Sequence, residues 1–276
     1  MSSTPEALKD VEAYVFDVFG TVVDWYGNIT GQLAAAAPAG MNEDWGAFAY
    51  EWRTGFFEHT AEEFELGYRR HVAGGGEGTT NMDVAHRQVL DTMLESLRWK
   101  HLAGHWDDAK RDELVMSWHN AQGWPDATKG LYALKKKAIV AALSNGNIRF
   151  LVDLASITDQ CCNVTHVVVT HKRSVKAKNA DLPWDVVFSV DLFGTCKPNP
   201  KVYLGALHHL DLPGEKCAMV AAHLWDLKAA AKHGMKTVYV PRVTDDLEDR
   251  DAVKCKAEGG EVDVVVSSLE ELAALL

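Results

Sequence analysis

The stretch VFDVFGTVVDW, Val15 to Trp25, ends an apolar run on a single carboxylate, Asp17, and follows it with Gly20 and Thr21. An acid where a strand stops can serve as a nucleophile, a base or a structural hydrogen-bond acceptor, and the choice depends on what other loops bring to it. Three further polar sets stand at comparable places: Ser144 and Asn145 in LSNGN, Lys197 in CKPNPKVY, and Asp226 in VAAHLWD. Phe19, two residues beyond Asp17, has no proton to give. Any leaving group expelled beside it must depart unaided, or take its proton from elsewhere.

The elements that would position these residues are legible as short β-rich runs. They are AYVFDV, AIVAALSN (Ala138 to Asn145), VVFSVD (Val186 to Asp191), CAMVAAH (Cys217 to His223), KTVYVPR and DVVVSS, with helical patterns between them. DLKAAAKHG, Asp226 to Gly234, reads as one such helix, with an acid at its start and glycine at its end. Alternation of this kind predicts an α/β fold with a parallel sheet covered on both faces, whose sites form at the carboxyl ends of the strands. Between about Gly27 and Gln122 the pattern is helical, with no clear strand, and holds Trp45, Trp52, Trp99, Trp106 and Trp118. This predicts a helical cap over 27–122, inserted into a core formed by 1–26 and 123–276. AGGGEGTT, Ala73 to Thr80, reads as a flexible loop between cap helices. Ile157 to Asp181 carries a basic cluster, reads as a hairpin or loop, and receives no role.

Composition removes several function classes. An apolar content of 47% in 276 residues suffices for a sizeable core. A net charge of -11 argues against a nucleic-acid groove or an anionic membrane surface, while one or two basic residues remain enough to bind a small anion. The five cysteines are odd in number and form no CxxC pair, so neither a disulfide framework nor a zinc site is expected. The N-terminus lacks an export signal and no run approaches 18 apolar residues, which predicts a soluble, cytoplasmic protein in which Asn163 is not glycosylated.

Asp17, the Ser144–Asn145 pair, Lys197 and Asp226, in this chain order, resemble the four loop motifs of the haloacid dehalogenase superfamily, and more narrowly its 2-haloacid dehalogenases. The resemblance spans nearly all of the chain except Ile157 to Asp181 and the stretch around Thr244 to Glu261. It implies a Rossmann-like core with a helical cap, and no cofactor or metal. It also implies a nucleophilic role for Asp17, which forms an ester that water hydrolyses. Thr21 would orient Asp17, or else cap the following helix. Arg53 would receive the departing halide, and Ser144 with Asn145 would bind the substrate carboxylate or satisfy strand-end backbone groups. Lys197 would keep Asp17 ionised, with Tyr203 joining its network or packing beneath the loop. Asp226 would steer the lysine and the water, and Trp225 and Phe19 would line the pocket.

The chain departs from the family in one loop. Well-known members carry Ser-Ser-Asn where this chain has Ala221, Ala222 and His223. His223 would take the asparagine's place beside the hydrolytic water, or serve as a hydrogen-bonded strand-end residue. Three functions therefore stand: hydrolysis of short 2-haloalkanoic acids to 2-hydroxy acids, as by an (S)-2-haloacid dehalogenase; a magnesium-dependent phosphatase; or a silent member that binds a carboxylate or a partner. Phe19 favours the first, because a halide leaves without a proton. The expected partner is a small 2-halocarboxylate, and a homodimer is left open.

Overall fold

The computed structural model describes residues 4–55, 81–155, 180–245 and 250–276. In chain order its strands are β1 Ala13–Phe16, β2 Val23–Asp24, β3 Gln122–Gly123, β4 Ile139–Ser144, β5 Val186–Ser189, β6 Cys217–Ala221, β7 Lys236–Tyr239 and β8 Val264–Val265. Six of them form one sheet in the order β5-β4-β1-β6-β7-β8, with every pairing parallel. The expected α/β fold is present, and β1, which delivers Asp17, lies inside the sheet between β4 and β6.

Period-two alternation explains why these short runs are apolar throughout. Tyr14 and Phe16 of β1 join one core with Val140, Ala142, Ala218 and Val220. Ala13 and Val15 join another, on the opposite face, with Ala141, Leu143, Cys217 and Met219. Helices α5 (Ala127–Leu134) and α9 (Leu269–Ala274) contribute Leu131, Leu134, Leu269 and Leu272 to the first core. Helices α7 (Pro200–Leu210) and α8 (Leu224–Ala231) contribute Val202, Tyr203, Leu207 and Leu227 to the second. Helix α6, Ile148–Leu154, follows β4 and places Phe150 in the first core.

Between β2 and β3 the described chain is helical: α1 Trp25–Ala36, α2 over residues 45–55, α3 Met82–Glu95 and α4 Asp108–Met116. Its aromatic residues pack together. Phe48 meets Trp99 at 4.8 Å and Trp106 at 5.8 Å between ring centroids, and Trp52 meets Trp118 edge-on at 5.4 Å. Each such burial is worth about 1.5–3 kcal/mol relative to exposure, which supports a helical layer that receives no help from sheet pairing.

Several elements differ from expectation; β6 and β7, for instance, stop at Ala221 and Tyr239, short of the ends of the apolar runs that announced them. The antiparallel pair β2–β3 was not read, because two residues are too few to show a period; it ties together the two chain crossings at the base of the helical stretch. β5 stops at Ser189, whose hydroxyl accepts the N–H of Asp191 and starts a 3₁₀ turn. Helix α8 begins at Leu224 rather than Asp226, and Asp226 is no cap: its carboxylate turns inward to Lys197 and Tyr203. Gly234 ends the turn after α8 with φ +82°, as expected. The Ala73–Thr80 loop lies outside the described residues, as does all but the last two residues of Ile157–Asp181. Among the described residues no helix is long and apolar enough to cross a membrane.

Candidate active site

Asp17 extends the β1 ladder by donating its N–H to the Val220 carbonyl at 3.0 Å, then leaves the sheet at its carboxyl edge with 5% exposure. Both oxygens are held. Lys197 Nζ donates to Oδ1 at 2.8 Å and Thr21 Oγ1 donates to Oδ2 at 2.7 Å. The Thr21 hydroxyl accepts from the Ala222 N–H at 2.9 Å, so it links the β1 and β6 loops; the cap of α1 is instead Asp24, which accepts from Gly27 N at 2.9 Å.

Lys197 reaches this point because the turn before α7 is built for it. Asn199 caps α7 and accepts from Lys201 N at 3.0 Å, with Pro200 in the first helical position. The Asn145 carboxamide brackets the Lys197 backbone, accepting its N–H at 2.9 Å and donating to its carbonyl at 3.5 Å. Buried Nζ also donates to Asp226, whose other oxygen accepts from the Tyr203 hydroxyl at 2.6 Å. Ser144, at the end of β4, accepts from Gly146 N at 3.0 Å.

Two buried carboxylates thus share one ammonium, and they respond differently. Burial raises the Asp17 carboxyl, but Lys197, His223 and Thr21 outweigh it and hold it below the usual carboxylate value. Burial also drives the Asp226 carboxyl up; Lys197 pulls it down, Asp17 pushes it up further, and it ends raised. Burial lowers Lys197, yet Asp17 and Asp226 outweigh this and keep the ammonium charged above its ordinary range. Asp17 is therefore the member of the pair held in its ionised form.

On the other side of Asp17, Arg53 of α2 is 5% exposed, its guanidinium 4.8 Å from the Phe19 ring centroid and 5.6 Å from that of Trp25. Burial lowers it to about 10, against the opposing pull of Asp245 and Asp17. Phe19 lies flat on Phe150 of α6, with centroids 4.4 Å apart and planes 8° apart, and so forms a rigid floor beneath Arg53. His223 Nε2 lies 3.1 Å from the Phe19 carbonyl and 3.6 Å from Asp17 Oδ2. Trp225, 38% exposed, stacks against His223 at 5.9 Å and forms the rim, with Lys197 Nζ 5.9 Å from its ring.

Several residues that shape the site were not singled out from the sequence. Asp245 brings a further buried carboxylate to the site: Oδ1 lies 3.7 Å from His223 Nε2 and accepts from Trp25 Nε1 at 3.4 Å, while Oδ2 accepts from Thr244 Oγ1 at 2.8 Å. Buried Arg242 donates to the Thr21 carbonyl at 3.0 Å and clamps Asp126 through two bonds of 2.8 and 3.0 Å. Trp124 donates to the Gly20 carbonyl at 2.9 Å. All lie in loops beside the carboxyl edge of the sheet, and that position was the available signal. Among the described residues no group of three or more His, Cys, Asp or Glu side chains is arranged to hold a metal ion.

A family model described as haloacid dehalogenase-like hydrolase matches residues 11–234. The chain belongs to that family. Within the haloacid dehalogenase-like hydrolases its likeness is to 2-haloacid dehalogenases. It is 26% identical over 239 residues to (S)-2-haloacid dehalogenase 4A of Burkholderia cepacia, covering 85% of each chain. A crystal structure of an L-2-haloacid dehalogenase is 30% identical with a TM-score of 0.73, covering 96% of this chain and 97% of the other. Another, of a defluorinating L-2-haloacid dehalogenase, is 30% identical with a TM-score of 0.75, covering 100% and 99%.

Proposed function

We propose that this chain hydrolyses short (S)-2-haloalkanoic acids to 2-hydroxy acids through an ester on Asp17. Asp17 displaces the halide at the α-carbon with inversion, and Arg53 over Phe19 and Trp25 receives it. Ser144 and Asn145 line the carboxylate side, and Lys197, Asp226 and His223 attend the water that opens the ester. Residues 27–122 act as the cap, with 1–26 and 123–276 as the core, and the cytoplasm is the working compartment.

The observation that carries this reading is Phe19. A phosphate ester leaves as a basic alkoxide and gains roughly 10² to 10⁴ in rate from an acid at this place. Here the place is filled by a ring pinned between Phe150 and the Arg53 guanidinium, which offers a leaving group positive charge and no proton. A halide needs only the former. Single turnover of 2-chloropropionate in ¹⁸O water tests the route: label is expected in Asp17, and its absence after turnover overturns the covalent path. A halide-release panel of chloroacetate, bromoacetate, 2-chloropropionate and fluoroacetate, with Asp17→Asn as control, tests the substrate class.

A further inference from the structure

Away from Asp17, His119 is held on both sides by carboxylates. It sits in the 3₁₀ turn Ser117–Asn120, where the helical stretch returns to β3, and is 3% exposed. Its Nε2 lies 2.8 Å from Oδ1 of Asp83, in the first turn of α3, and its Nδ1 lies 2.8 Å from Oδ2 of Asp153 on α6. A carboxylate only accepts, so both ring nitrogens carry hydrogen and the ring is an imidazolium. We propose that His119 is a positioning residue: charged, it latches α3 to α6, and so keeps Arg53 seated over the Phe19 floor where the halide leaves.

The same two helices carry both ends of the linkage. Asp153 and Phe150 belong to α6, and Phe150 is the ring on which Phe19 lies. His119 meets Phe150 edge-on, with centroids 5.7 Å apart and planes at 84°. Helix α3 in turn carries α2, the helix of Arg53. Trp52 Nε1 donates to the His86 carbonyl at 2.9 Å, and a Cβ at Gly55 would lie 2.7 Å from Val89 Cγ1, so the missing side chain lets α2 and α3 approach closely. The N-caps of α3 and α6 also touch, Asn147 Nδ2 donating to Asn81 Oδ1 at 3.4 Å. A shift of α3 against α6 therefore shifts Arg53 against its floor.

The latch depends on one proton. Around His119 stand Asp83 and His86 of α3, and Asp153 and Arg149 of α6; Arg149 Nε donates to both Asp153 oxygens at 2.9 and 2.8 Å. Burial, Arg53 and His119 hold the His86 ring well below its ordinary value, so it adds no charge, and two carboxylates balance two cations. Burial lowers His119, but Asp83 and Asp153 outweigh it and raise the ring above its ordinary value. Burial raises the Asp83 carboxyl, but His119, Asn147 and Arg149 outweigh it and hold the acid below the usual carboxylate value. The share of His119 is thus fully present below its unfolded pKa and lost as pH rises through the folded one; that of Asp83 is present above its unfolded pKa and lost as pH falls through the folded one. When the ring gives up its proton, one nitrogen turns a lone pair on a carboxylate, and the link between α3 and α6 is lost on that side.

The inference rests on the haloacid reading for the step it serves, and His119→Gln and Asp83→Asn test it. Halide departure commits the substrate, so kcat/KM for (S)-2-chloropropionate reports every step up to it; it should fall by on the order of 10-fold in either variant, as Arg53 is seated for a smaller fraction of the time. In the wild type kcat/KM should also fall as pH rises through the His119 titration. That limb should move to lower pH in Asp83→Asn, where the ring has lost a carboxylate, and be absent from His119→Gln. Wild-type kcat/KM in both variants, an alkaline limb that survives unchanged in His119→Gln, or a loss of activity that merely follows a lowered melting temperature overturns the proposal. The latch is read without turnover. In ¹⁵N spectra of the resting enzyme at about pH 6.5, where an ordinary histidine is half charged, His119 should carry hydrogen on both nitrogens. Amides of α3 should exchange with solvent faster in His119→Gln than in the wild type. A ring with a single hydrogen, or unchanged exchange, overturns the latch. A wild type that releases no halide from any 2-haloacid defeats the haloacid reading, while spectra and exchange still decide the latch.

Discussion

The two flanks of Asp17 are built in opposite ways. Toward Lys197 the contacts are close and saturated: one ammonium bonded to two carboxylates, and a tyrosine and a threonine donating at 2.6 and 2.7 Å. Toward His223 the carboxylates of Asp17 and Asp245 stand 3.6 and 3.7 Å from Nε2, which lies 3.1 Å from the Phe19 carbonyl, and the Arg53 guanidinium lies over a floor of stacked rings. The close flank holds a fixed charge. The open flank has room for charge to move, as halide departure and water activation require.

The largest effect that would break this contrast is loss of the nucleophile. Asp17→Asn is expected to lower turnover by on the order of 10⁴-fold or more, measured as halide release, since Asp17 is the group proposed to form the ester. Residual activity near that of the wild type would move the chemistry elsewhere.

Next in size is Lys197→Met. Removing one partner of a buried ion pair leaves uncompensated charge and costs about 3–5 kcal/mol, read by chemical denaturation. The signs are separable. Asp17 is depressed, so it contributes stability present above its unfolded pKa and lost as pH falls through the folded one; Lys197 is elevated, so its share is present below its unfolded pKa and lost as pH rises through the folded one. Burial is already the largest single influence on Asp17, and without Lys197 less opposes it, so the Asp17 carboxyl should rise and the acid limb of kcat should move to higher pH. A shift to lower pH would erase the contrast between the flanks.

Tyr203→Phe probes the close flank more gently. Its hydroxyl donates to the buried Asp226 carboxyl, a bond worth about 0.5–1.5 kcal/mol. Stability should fall by that amount, with KM for the haloacid little changed, because Tyr203 touches Asp226 and not the halide floor.

The close flank was also the legible one. Asp17 and Asp226 follow continuous apolar runs that read as buried strands, and the KPNP turn that carries Lys197 has its own proline and capping signals. Arg53 and Tyr203 lie on helices, where nothing in the local pattern separates a buried polar residue from a solvated one; only the family resemblance singled them out. Asp245 was invisible for a different reason. It sits in an acid-rich stretch of sequence, VTDDLEDR, where one aspartate looks like the next, and only the fold brings it beside His223, 22 residues earlier, and Trp25, 220 residues earlier. The strand-edge rule, applied to the loop after KTVYVPR as it was to the others, would have marked that loop without choosing the residue.

The smallest expected effect tests the seam between the flanks. Gly20→Ala places a methyl against the Asp245 carboxylate and forces a left-handed backbone on an L-residue, the second part alone costing about 1–2 kcal/mol. Asp245→Ala clears the steric part and leaves the backbone part. In a double-mutant cycle the pair should therefore be less destabilised than the sum of the single variants, with a coupling energy of at least about 0.5 kcal/mol. Strict additivity would mean that Gly20 is a glycine for its turn alone and that the nucleophile loop was not shaped around Asp245.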